Sequence, residues 1–268
     1  MKKLIALVVL GLVAFPAAAS AAERHVAMQG TSFNPARVSA LRGDVVRWTN
    51  TDLQQHNAAG AGFATPILNP GESAPVQFNS NGSFFYRCTI HPFMTGTVTV
   101  ADLFFQGPAG PLAPGRNASF SGLAPENSTV TIERVGAGAV TTAQAGADGR
   151  FSAVVPGVPG RYSATAAGRA SSVVSVRVRS TLAIAARRAG TRAVVTVVAK
   201  PNQRGGTVLL ERRRGRGWAR VGSKRLNTAS KAVFRTAIPR GRTTFRARLT
   251  KPAAGYTAAT SRSRTVRR

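Results

Sequence analysis

Acidic side chains are scarce in this chain of 268 residues: nine Asp plus Glu stand against 37 Lys plus Arg, a formal net charge of +28. Cysteine occurs once, at Cys88, and histidine three times. One cysteine excludes an internal disulfide framework, and the few scattered carboxylates offer no pair for general acid–base work. Three histidines exclude a centre assembled from several His-rich metal sites. No apolar run beyond the first 22 residues approaches the roughly 20 residues that a membrane span needs. No stretch sustains a helical apolar period either. Short runs rich in Val, Thr and Phe alternate with Gly, Pro and Asn clusters, which predicts an all-β architecture.

What is present gathers around the single cysteine. In Tyr86-Arg87-Cys88-Thr89-Ile90-His91-Pro92-Phe93-Met94 a thiolate, an imidazole and a thioether recur at every third residue of one short loop. Thiolate and thioether sulfur favour Cu(I), and imidazole suits both copper oxidation states. The set matches two His and one Cys in a trigonal plane with a weak axial Met. A second histidine is then required, and His56 in Thr51-Asp52-Leu53-Gln54-Gln55-His56-Asn57 is the obvious donor. Zinc could use one Cys and two His, but it gains little from a thioether and usually takes a fourth Cys, His or carboxylate. Ligand softness selects copper.

The N-terminus says where this chemistry happens. Lys2 and Lys3 precede an apolar run from Leu4 to Ala14, and Ala19-Ser20-Ala21 is a small-residue cleavage site, so residues 1–22 read as a secretory signal peptide. The mature protein is expected to be soluble and exported to the periplasm or cell envelope. Metal ligation would protect a lone thiol there from oxidation. Cleavage after Ala22 would expose Glu23-Arg24-His25, whose amine, amides and imidazole can give a square-planar nitrogen set suited to Cu(II) or Ni(II); cleavage after Ala21 would destroy it, and the alternative reading is that His25 simply opens the first strand.

Composition shifts along the remainder. Glu23 to Ala101 holds five Arg and four acids, Asp102 to Arg179 seven Arg and four acids, and Ser180 to Arg268 has 23 Lys plus Arg against Glu211 alone. The expected organisation is a metal-binding domain over 23–102, a linker over 103–115 carrying Phe105-Gln106-Gly107-Pro108, and a spacer over 116–179. A basic β-sandwich over 180–260 and a flexible basic tail over 261–268 complete it. Strands are predicted near His25–Met28, Asp44–Thr49, Ala74–Phe78, Ser83–Cys88 and Thr95–Val100, so that sheet pins the Cys88 loop at both ends.

Residues 26–101 resemble a cupredoxin, and the Cys88-Thr89-Ile90-His91-Pro92-Phe93-Met94 loop is similar to that of amicyanin. Thr31-Ser32-Phe33-Asn34-Pro35, the Gly43 to Asp52 segment, the His56-Asn57 pair and Gly96-Thr97-Val98-Thr99-Val100 fall where the family has similar residues in the same order. The resemblance covers about a third of the mature chain. It implies a Greek-key sandwich binding one type 1 Cu ion, with His56, Cys88 and His91 in the plane, Met94 axial and Asn57 bonding the ligand loops together. His91 would be the electron portal, with Pro92 and Phe93 adding apolar contact area for a redox partner; ordinary loop packing is the alternative reading of Phe93. The two later segments resemble immunoglobulin-like or transthyretin-like wall modules by texture alone.

Four protein ligands would leave no open position for substrate, which points away from catalysis and toward outer-sphere electron transfer. The charge of +22 over the last 89 residues exceeds what solubility requires and is expected to hold polyanions. Envelope polymers and lipid headgroups are the expected partners. Nucleic acid is disfavoured, because no recognition helix or zinc finger occurs and Trp218, Phe234, Phe245 and Tyr256 read as sandwich core. The expected function is an exported electron carrier tethered to the envelope by its basic region. A copper-storage protein, or a structural wall protein with a non-redox cupredoxin domain, are the alternatives.

Overall fold

The computed structural model describes residues 21–268, and those residues form no helix. Most of the expected signal peptide therefore lies outside the described residues.

Alternation of apolar and polar side chains builds the first unit. Its strands are β1 (Glu23–Gln29), β2 (Ser32–Asn34), β3 (Arg37–Leu41), β4 (Val45–Asn50), β5 (Ala59–Gly60), β6 (Phe63–Ala64), β7 (Ser73–Gln77), β8 (Gly82–Arg87) and β9 (Thr95–Ala101). They form two sheets, ordered β2-β1-β4-β7 and β3-β9-β8-β5-β6. In β4, Val46, Trp48 and Asn50 point inward, and in β9 Gly96, Val98 and Val100 do the same. One core joins both sheets, with Val26, Val46 and Trp48 from the first meeting Val38, Tyr86 and Val98 from the second. The Trp48 and Tyr86 rings meet edge to face at 5.4 Å. Glycine is required at Gly96, where a Cβ would lie 2.4 Å from Cζ of Tyr86. The five strands expected here are present; β2, β5 and β6, at two or three residues each, were too short to show a period, and β3 was not expected.

Two more sandwiches follow. The second contains β10 (Phe104–Gln106), β11 (Asn117–Leu123), β12 (Thr129–Arg134), β13 (Gly138–Gln144), β14 (Arg150–Pro156), β15 (Gly160–Ala166), β16 (Arg169–Ala170) and β17 (Val174–Val176). Its sheets run β10-β11-β14 and β13-β12-β15-β16, with β17 on β15, around Phe105, Phe120, Ile132 and Tyr162. The third contains β18 (Thr181–Ala189), β19 (Arg192–Lys200), β20 (Thr207–Arg214), β21 (Gly217–Arg225), β22 (Lys231–Ala237), β23 (Arg242–Lys251), β24 (Ala259–Thr260) and β25 (Arg264–Arg267). Its sheets run β18-β19-β22 and β21-β20-β23-β24, with β25 on β23. The core there is mostly aliphatic, with Val195, Val197, Leu210 and Leu249 around Phe234 and Phe245.

Three expectations are corrected. The linker over 103–115 begins as structure: Phe104–Gln106 pairs with β11, and Leu103 and Phe105 are buried in the second core. Their apolar side chains outweigh the Gly-Pro run that follows them. The tail over 261–268 is not free, because Arg264–Arg267 pairs with β23 and Val266 enters the third core at 6% exposure. A single valine among arginines is enough to dock the strand edge. Trp218 is also not core: it lies half-buried on the sheet surface, with the guanidinium carbons of Arg246 and Arg213 4.3 and 5.4 Å from its ring centre. Tyr256 is likewise half-buried, beside the Val178 segment that joins the second and third units.

The units touch through specific bonds. Arg24 Nη1 donates to the Asp148 carbonyl and Arg169 Nη1 to the Arg42 carbonyl, both across the first junction. At the second junction Val178 N donates to the Gly255 carbonyl, and Thr257 N to that of Val178.

Candidate metal centre

Sheet register sets one wall of the centre. Arg87 and Thr95 face each other across β8 and β9, so residues 88–94 form a closed loop between paired strands. Cys88 N donates to the Met94 carbonyl and Met94 N to the His91 carbonyl, which turns the loop tightly and brings the His91 ring back over Cys88. The second wall follows β4. Asn50, fully buried, donates to the Gln54 and Leu68 carbonyls and accepts from Asp52 N, shaping the loop that carries His56. Reciprocal backbone bonds between His56 and Leu68 fix that loop.

Across these walls three donor atoms converge. His56 Nδ1 lies 3.9 Å from Cys88 Sγ, His91 Nδ1 lies 3.8 Å from it, and the two Nδ1 atoms are 3.2 Å apart. Bonds of roughly 2.05 Å to nitrogen and 2.3 Å to sulfur in a trigonal plane separate donors by about 3.5 to 3.8 Å, so the triangle is of the size to hold one ion. His56 and Cys88 are inaccessible to solvent; His91 is half-buried and is the one corner that reaches the surface. Among the described residues this is the one group of three or more His, Cys, Asp or Glu donors arranged to hold a metal.

The neighbours tune the donors. Burial works to lower the His56 imidazole pKa, but its bonds with Asp52 and Cys88 outweigh this and hold it above the ordinary value. Asp52 Oδ2 sits 2.9 Å from Nε2, which leaves Nδ1 to face the centre. Burial pushes the Cys88 thiol up, while the amide of Asn57, the His56 ring and the amide and ring of His91 pull it down to about 7. Thiolate is the form that ligates metal, so the site is disposed to present it.

Each residue singled out in the sequence has a definite place. Asn57 Oδ1 accepts from Thr89 N at 2.8 Å and Thr89 Oγ1 at 3.1 Å, joining the two ligand loops. Met94 is 1% exposed and shares the apolar cluster of Cys88. Phe93 is 69% exposed with its ring 6.2 Å from that of His91, and Pro92 is exposed beside it. His25 lies apart on β1, exposed and 3.6 Å from a Glu23 oxygen. Sequence reasoning missed Asp52 and Asn50. A carboxylate four residues before a ligand histidine is the only signal that could have indicated Asp52.

No family model matches the chain. Over 89 residues, 31% of the chain, it is 35% identical to amicyanin-alpha of Methylorubrum extorquens and spans 75% of that protein. The chain belongs to the amicyanin family of cupredoxins. Amicyanins of Paracoccus versutus and Paracoccus denitrificans are 33% and 35% identical over 70 and 65 residues, and the chain spans 53% and 50% of their lengths. Among solved structures, a purple cupredoxin of Nitrosopumilus maritimus is 28% identical; the match takes in 29% of this chain and 98% of that one, with a TM-score of 0.28. A reduced amicyanin variant is 27% identical over 29% of this chain and 80% of its own, also at 0.28. The amicyanin-type unit is thus the first sandwich, and the metal centre lies at one end of it.

Proposed function

We propose that this protein is an exported type 1 copper protein that carries single electrons and is held at the cell envelope by its basic C-terminal region. The observation that carries the reading is the Nδ1–Nδ1–Sγ triangle of His56, His91 and Cys88, buried at two corners and half-buried at His91. Its donor set suits copper; His56, Cys88 and His91 would hold the ion, the Met94 thioether would be a fourth donor, and Asn57 braces the loops. Copper held there supplies one-electron redox chemistry. The chain's own part is to keep water from His56 and Cys88, to hold Cys88 as thiolate and to fix the His56 tautomer through Asp52. Ligands pinned by paired strands on one side and by Asn50 on the other move little when charge changes.

The surface fits a carrier rather than an enzyme. Of the donors His91 opens toward solvent, with the apolar side chains of its loop neighbours Ile90 and Phe93 43% and 69% exposed. That apolar surface suits brief contact with a redox partner protein, and we read no catalysis by this chain. The three sandwiches act as domains, the second spacing the first from the third. The third offers its positive charge to anionic envelope polymers or lipid headgroups rather than to nucleic acid. No helix among the described residues is long and apolar enough to cross a membrane.

The start of the fold bears on export. Ala22 is buried, its carbonyl accepts from Val45 N, and its nitrogen lies 3.3 Å from the buried Asp44 carboxylate. Removal of Ala22 would delete both bonds, so cleavage after Ala21 is the form the fold supports. That also moves His25 from third to fourth place and removes the square-planar site considered for it. Intact mass of the exported protein is expected to give Ala22 as first residue; Glu23 first would overturn this assignment.

The central test is optical. Mature protein with Cu(II) is expected to show an intense thiolate-to-copper band and the matching electron paramagnetic resonance signal, both lost in Cys88→Ser. A protein that binds copper with no such band is a storage protein of another coordination type. One that binds no metal sinks the reading.

A further inference from the structure

One recess of the third sandwich concentrates charge that nothing neutralises. Arg212, Arg213 and Arg214 end β20, and Arg242 and Thr243 begin β23; with Pro239 they line a recess of about 330 Å³. Glu211 is the sole acidic side chain from Ser180 onward, and it is taken by Arg246 at 2.6 Å and Arg248 at 3.8 Å. Among the described residues Arg212, Arg214 and Arg242 form no ion pair; Arg213 is turned toward Trp218 and the Gly215 carbonyl. The second observation is independent of charge. Thr243 is 3% exposed, and its Oγ1 is buried with no hydrogen-bond partner. A buried hydroxyl without a partner is destabilising unless a ligand completes it.

Clustered guanidiniums repel one another, and a hydroxyl without a partner adds to the deficit; one multivalent anion relieves both. A carboxylate offers two oxygens and one charge. A phosphate group offers more oxygens in the geometry that planar guanidinium forks match. We propose that this recess is a phosphate-binding site, with Arg212, Arg214 and Arg242 holding the phosphate oxygens and Thr243 Oγ1 donating to one of them. The proposal rests on the reading that the basic region docks on envelope polyanions, and it names phosphate as the group recognised.

The test uses the full mature chain and titrates inorganic phosphate in low salt by calorimetry. Saturable binding is expected, weakened about tenfold or more in Arg214→Gln/Arg242→Gln and several-fold in Thr243→Val. Thr243→Ser restores the hydroxyl and is expected to restore binding, and thermal unfolding checks that each variant folds. The control Arg187→Gln/Arg188→Gln removes equal charge from exposed positions on β18, in the opposite sheet, and is expected to change affinity less than twofold. Equal losses in both double variants, or no saturable binding by folded wild type, would overturn the site. Polyphosphate and phosphatidylglycerol vesicles then distinguish a polymer from a lipid source, each losing affinity in the site variants. Polygalacturonate probes the broader reading. If it binds as tightly as polyphosphate and neither responds to the site variants, the tether stands and the site fails; if no polyanion binds, the tether itself fails.

Discussion

The first and third sandwiches share an architecture and divide the chemistry between them. In the first, the exceptional side chains are inside: His56, Cys88 and Asn50 are fully buried, and Asn57 nearly so. Three of its five arginines pair with carboxylates, Arg24 with Asp44, Arg47 with Glu23 and Arg42 with Asp102. The third also buries polar groups, Gln203, Ser230 and Thr243 among them, but no metal-binding set, and it places what is unusual about it on the surface, as charge that one glutamate cannot balance. The lesson is that a β-sandwich can carry function at the end of its core or on its faces. The core-end site needs buried hydrogen bonds to hold it. The faces need only the alternation that turns arginine outward.

Three measurements would break or sharpen this contrast. The largest effect is expected from Phe245→Ala, which empties a fully buried ring position in the third core and should destabilise that unit by about 3–5 kcal/mol. The copper absorption should survive, since the two cores are separate; a simultaneous loss of the band would show that the sandwiches unfold as one. Next, Gly96→Ala forces a methyl against the Tyr86 ring and should cost about 1–3 kcal/mol in the first unit alone, seen as an earlier thermal transition monitored at the copper band. Polyanion binding by the third unit should not change. The smallest effect concerns the junction. Asp102 has its pKa lowered by a bond from Asn81 and by Arg42 and Arg169, so its carboxylate stabilises the fold above the ordinary carboxylate range and ceases to do so as pH falls through the lowered value. The stability difference between wild type and Asp102→Asn should be constant above about pH 5 and shrink below about pH 4. A difference that grew on acidification would reverse the assignment.

Much of the metal centre was legible because its residue types are rare. One cysteine and three histidines leave few combinations, and a Cys, His and Met every third residue is a chemical statement before it is a structural one. Longer strands such as β4 and β9 were legible from alternation. The two-residue strands β5 and β6 were not, since no period fits in two residues, and β10 was hidden beside a Gly-Pro run. Asp52 escaped because its role depends on which imidazole nitrogen it faces. The arginines of the phosphate recess escaped because charge was everywhere and only convergence distinguishes them.

By itself the sequence determined the donor chemistry, the gradient of charge from neutral to strongly basic and the β texture, since these follow from residue identity and local order. The tertiary structure decided that His56 and Cys88, 32 residues apart, place their donor atoms within 4 Å, that Asp52 turns the imidazole, and that Arg212, Arg214 and Arg242 line one recess together with Thr243. The reason is physical: distances between remote residues are set by strand register and by how two sheets pack, and neither is a property of any short stretch of chain.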